Sequence, residues 1–105
     1  MAQFDLHANP SVAQREAFPY VVVLQSDHLD HYSTRLVMPL ARLKRIPEML
    51  PRRLALTVNV DGETLHLASH LCAPLPARLL KEPLRSLRDQ APSLLVALDA
   101  VISGV

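Results

Sequence analysis

Four histidines, His28, His31, His66 and His70, together with Asp27 and Asp30, are the side chains best suited to hold a metal ion. Imidazole nitrogens and carboxylate oxygens are common metal donors, and the run Asp27-His28-Leu29-Asp30-His31 is dense in both. It carries neither a paired C-x-x-C nor an H-E-x-x-H spacing, so it reads as exposed turn residues. No metal or other cofactor is implied. His70 and Cys72, two residues apart on a strand, would share a face as a base and a nucleophile do. No third group orients the base and no oxyanion donors accompany them, so Cys72 reads as a buried or neutral thiol. Arg42, Lys44, Arg45, Arg52 and Arg53 could contact phosphate. Without nearby aromatics to stack on bases, they read as a solvated charged face, and no sequence-specific nucleic-acid binding is expected. Carboxylates are dispersed rather than paired for acid–base work, and no glycine-rich phosphate loop is present. On chemistry alone this is a protein that binds, not one that makes or breaks bonds.

The composition sets the frame for such a protein. A chain of 105 residues is read as one domain, 1–105, able to bury about two-thirds of its unfolded surface in a single core. Half of the residues are hydrophobic and 20% are charged, which excludes a disordered chain. The formal net charge of +1 gives no field strong enough to recruit nucleic acid or an anionic membrane. One cysteine cannot form an internal bridge. The opening Met1-Ala2-Gln3-Phe4-Asp5 lacks the basic and apolar regions of a signal peptide, and no apolar run approaches the roughly 20 residues a bilayer span needs. A cytoplasmic location is expected.

The elements that position these residues can be placed by periodicity. Gln3 to His7 alternates and suits a short strand, residues 8–17 read as a loop, and Phe18 to Leu24 is a β-branched and aromatic run, the best strand in the chain. Gln25-Ser26-Asp27 ends it in a turn, because Ser and Asp side chains bond locally to the backbone. Thr34 to Leu40 is a further strand, closed near its end by Pro39, and Arg42 to Arg53 suits an exposed connection. Asp61-Gly62 between Leu54–Val60 and Glu63–Ala68 is a hairpin signal, since a type I′ turn needs positive φ at both central residues. Leu65 and Leu67 should point inward, opposite Thr64, His66 and Ala68. Leu94, Leu95, Leu98, Val101 and Ile102 mark one stripe of a terminal helix, with Asp89 as its N-cap, Pro92 in its first turn and Gly104 at its C-cap.

The order of these features resembles the CcdB family of toxins. The resemblance is carried by Met1 to Asp5, by Tyr20-Val-Val-Val-Leu-Gln25-Ser26-Asp27 with Leu29-Asp30, and by Thr34-Arg35-Leu36-Val37-Met38-Pro39-Leu40. Val58 to Glu63, Ala97 to Asp99 and Ser103 to Val105 continue it in register. It implies an α+β, mostly β fold: an antiparallel sheet curled like an SH3-type barrel, a small extra sheet lobe, and one C-terminal helix at the two-fold interface of a homodimer.

The resemblance also implies a function. Toxins of this type bind the A subunit of DNA gyrase, trap its cleaved complex with DNA, and are neutralised by a CcdA-like antitoxin. The target-binding tail corresponds to Ile102, Ser103, Gly104 and Val105. Gyrase-poisoning members end in a tryptophan, a glycine and an aliphatic residue; here Ser103 takes the place of the tryptophan. The antitoxin wraps such toxins with a segment that orders on binding, and Ser26, Asp27, His28, Leu29 and Asp30, with the loop 8–17, are the residues expected to meet it. Two other readings stand beside this one. An endoribonuclease of the same barrel type would need a basic cleft, with Arg35 beside Asp27 or Asp30. A chromosomal relative that only binds protein partners would fit the missing tryptophan.

Overall fold

The computed structural model describes residues 2–42 and 56–103. Seven antiparallel strands make up one sheet among them: β1 Asp5–Ala8, β2 Tyr20–Val23, β3 Thr34–Arg42, β4 Thr57–Val60, β5 Glu63–Leu67, β6 Ala73–Pro76 and β7 Arg85–Ser86. Their order is β4-β5-β3-β2-β1-β7, with β6 also joined to β3. The sheet curls into a half-barrel, and helix α1, Ala91–Ser103, closes the chain order.

β2 has valines at three successive positions because both of its faces are covered. Val22 and Leu24 turn toward one core with Leu6, Met38, Leu40, Leu65, Leu67, Leu94 and Ala97, so α1 lies on this face. Val21 and Val23 turn the other way, onto Val37, Leu75 and Leu80. The period of two thus feeds two apolar layers from one strand.

β3 runs past Pro39 to Arg42 rather than closing there. Along one edge β3 pairs with β2; along the other, residues 34–37 pair with β6 and residues 40–42 with β5. Pro39 sits at the changeover. Its carbonyl accepts from the Ala68 amide at 3.0 Å, so its missing N–H also faces this edge, in the gap between partners. A proline is tolerated where no ladder bond is required. β6 (Ala-Pro-Leu-Pro) has no alternation to announce it. It is an edge strand whose two prolines limit further pairing.

The hairpin turn is as expected. Asp61 and Gly62 have φ of +49° and +84°, and Val60 pairs with Glu63. Leu65 and Leu67 are buried, and so are His66 and Ala68 across the strand. β1 starts at Asp5, not Gln3, because Phe4 adopts φ +69° in a turn where the Asp5 amide donates to the Ala2 carbonyl.

The helix departs from the expected stripe. Leu94, Ala97 and Ala100 are buried and Leu98 is half-buried, while Leu95, Val101 and Ile102 are exposed. Leu94 and Ala97 join the core, α1 lies beside the 3₁₀ turn Ser69–Leu71, and the larger residues are left facing out. Asp89 lies inside a 3₁₀ turn, Arg88–Gln90, that leads straight into α1, so it is not the cap. Pro92 does fall in the first helical turn, where its missing N–H costs little. The C-cap expected at Gly104 lies outside the described residues, as does the basic stretch beyond Arg42.

Candidate functional site

Two surfaces carry the residues singled out in the sequence. The first is the loop between β2 and β3. Ser26 accepts the His28 amide on its hydroxyl at 3.2 Å and starts a 3₁₀ turn over Asp27–Leu29. Asp27 Oδ1 accepts the Gln3 amide at 2.7 Å. Arg88 lies 3.9 Å from the other carboxylate oxygen, donates to the Gln3 carbonyl, and stands over the Phe4 ring at 5.6 Å. Asp27 therefore ties the N-terminal turn to the segment entering α1.

Gln25 holds the loop from inside. Its Nε2 donates to the carbonyls of Leu29 and Thr34, each at 3.1 Å, while its Oε1 accepts the Leu36 amide at 3.2 Å. Arg35 does the same from β3. Its guanidinium donates to the carbonyls of Asp30, Tyr32 and Thr34 and pairs with the Asp30 carboxylate at 3.0 Å. The arginine is buried, and its Nε has no partner. His28, Leu29, Asp30, His31 and Tyr32 are left exposed on this frame, with the rings of His31 and Tyr32 centred 4.4 Å apart.

The second surface is the end of α1. Ile102 and Ser103 are exposed on its last turn, Ile102 at 76%. Gly104 and Val105 lie outside the described residues.

The catalytic alternatives fare differently. Arg35 does stand beside Asp30, but backbone carbonyls occupy its guanidinium inside the protein, so it does not face a phosphate as a ribonuclease arginine would. Residues 69–71 form a 3₁₀ turn rather than a strand, so His70 and Cys72 do not share a strand face. Burial pushes the Cys72 thiol from its ordinary 9.0 up to about 11, the opposite of an activated nucleophile. Among the described residues no three His, Cys, Asp or Glu side chains come together as a metal site, and His66 is buried in β5 away from the loop. Arg42 pairs with Glu63. A cavity of about 440 Å³ opens between the loop 8–17 and the outer face of the sheet, lined by Phe18, Val21, Val37, Pro39, Leu71 and Leu75 among others. It has no titratable side chain in its lining. It can accommodate apolar groups but offers no acid or base.

Gln25 was legible as a turn boundary but not as a clamp, and Tyr32 gave no signal at all. The clue was the pairing of Gln25 with Arg35 across a short loop, two long donors that can satisfy the carbonyls of a segment lacking its own ladder.

Among protein families, the model described as CcdB protein matches residues 3–104, nearly the whole chain. The chain belongs to the CcdB family. No curated protein matches it. No described helix is long and apolar enough to cross a membrane.

Proposed function

We propose that this member of the CcdB family is a single-domain toxin that acts in the cytoplasm by binding the A subunit of DNA gyrase and trapping its cleaved complex with DNA. The family is one of gyrase-poisoning toxins from toxin–antitoxin systems, not of enzymes. The observation that carries the reading is the family match over residues 3–104, with an exposed apolar helix end where a partner would dock.

In this reading Ile102, Ser103, Gly104 and Val105 meet gyrase. Ser26, Asp27, His28, Leu29 and Asp30 meet a CcdA-like antitoxin, whose segment orders as it binds. The exposed residues of α1, Leu95 among them, supply the two-fold interface of a homodimer. A second reading, a relative that binds protein partners without toxicity, is favoured by Ser103, which lacks the aromatic area that often anchors interfaces.

Induced expression and a gyrase cleavage assay separate the two. Growth arrest with accumulation of gyrase-cleaved plasmid supports the toxin. Growth without arrest supports the relative, and RNA degradation without gyrase would return the ribonuclease. Ser103→Trp is expected to raise the yield of cleaved complex; an unchanged yield counts against docking through the tail.

A further inference from the structure

We propose that Tyr32 is the aromatic anchor of the gyrase-binding surface and that Arg35 is the positioning residue that holds it there. The inference rests on the gyrase reading above and adds residues that the resemblance does not assign.

The chain has four aromatic residues of the Phe, Tyr and Trp types and no tryptophan. Phe4 is buried and Phe18 and Tyr20 are half-buried, so Tyr32, at 55%, is the one presented to solvent. Protein interfaces draw most of their affinity from a few rigid aromatic or arginine anchors. With Ser103 at the tail, Tyr32 is the aromatic ring available for that role. Leu29, three residues earlier, is also exposed, and its carbonyl accepts the Tyr32 amide at 3.1 Å, which closes the turn that carries the ring.

An anchor must be held in place before it binds. The Arg35 guanidinium grips the Tyr32 carbonyl itself, together with those of Asp30 and Thr34, from a buried position in β3. Gln25 closes the same loop from the end of β2, and Ser33 accepts the Ala77 amide on its carbonyl at 2.8 Å. A loop tied at this many points loses little further freedom on binding. This rigidity suits a folded partner of fixed shape, such as gyrase. A disordered antitoxin segment adapts to the surface it meets and gains less from a ring fixed in advance.

The test is binding of the full-length protein to the purified A subunit of gyrase, measured alongside melting temperature and amide hydrogen exchange of the free protein. Tyr32→Ala is expected to weaken binding at least tenfold at an unchanged melting temperature, and Tyr32→Phe to keep most of it. Arg35→Lys keeps the charge but loses the planar fork. It is expected to weaken binding, to speed exchange at residues 29–32, and to add little when combined with Tyr32→Ala. Val60→Ala, a core control, should lower the melting temperature and leave affinity alone. Binding by the parent protein with no loss in Tyr32→Ala overturns the anchor and leaves the gyrase reading standing. No binding by the parent protein overturns that reading and this inference with it. Unmoved loop exchange in Arg35→Lys, or losses that add fully in the double variant, overturn the positioning role.

Discussion

Leu94 and Leu95 are neighbours in α1, yet the first is fully buried against the sheet and the second is half exposed. One turn of helix thus carries two leucines with different tasks. Leu94→Ala is expected to cost about 2–5 kcal/mol in denaturant unfolding, the range for deleting a packed leucine. Leu95→Ala should cost far less within one protomer. If α1 forms the two-fold interface, it should also shift sedimentation toward the monomer, whereas an unchanged sedimentation profile would move the interface elsewhere.

Gly62 has φ +84° and nothing within 4 Å of where a Cβ would stand, so an alanine there meets no clash. The cost of Gly62→Ala is then one of backbone conformation alone. It should amount to about 1 kcal/mol, or roughly 4–8 °C in melting temperature. Asp61→Asn should change stability by less than about 0.5 kcal/mol, because asparagine tolerates the same turn and the lost pair with Arg85 is exposed.

The Cys72 thiol, pushed up to about 11, should resist alkylation. At pH 8 its thiolate fraction is lower than that of an ordinary thiol by roughly a hundredfold, a factor of ten for each unit. Iodoacetamide labelling of the native protein should therefore lag behind that of the unfolded chain by a factor of this order and accelerate as pH approaches 11. The sign for stability follows. The raised thiol favours the folded state below pH 9, and that contribution is lost as pH climbs from 9 toward 11. Equal labelling rates in the native and unfolded states would contradict the burial.

Asn9 is buried, and its side chain donates to the Phe18 carbonyl at 2.8 Å and accepts the Ser11 amide at 2.9 Å. Asn9→Ala strands both backbone groups. A loss of about 1–3 kcal/mol is expected, with early proteolysis in the loop 8–17. Stability equal to that of the parent protein would show that water replaces the amide fully.

The strands of this fold were legible where side chains alternate or cluster as β-branched runs, as at Tyr20–Val23, and where Asp61-Gly62 demanded a particular turn. The helix was legible as an element but not in its orientation. Large residues drew the predicted stripe, while the positions buried along with Leu94 are Ala97 and Ala100, whose small side chains give no such signal. β6 could not be read because its prolines disguise a strand that bonds along one edge only. In the candidate site, the exposed loop at Ser26–Asp30 followed from turn chemistry. Arg35 as its internal brace did not, since a charged residue in a strand pattern gives no sign of which backbone carbonyls it will meet.

β3 collects its neighbours from three separate stretches, residues 20–23, 65–67 and 73–76. During synthesis the ribosome delivers these in sequence, so the central strand waits half-clothed until Pro76 has emerged. Such distant pairings close slowly. A nascent chain therefore passes through an interval with an open strand edge exposed, when a chaperone or an early-binding partner has its best chance to intervene.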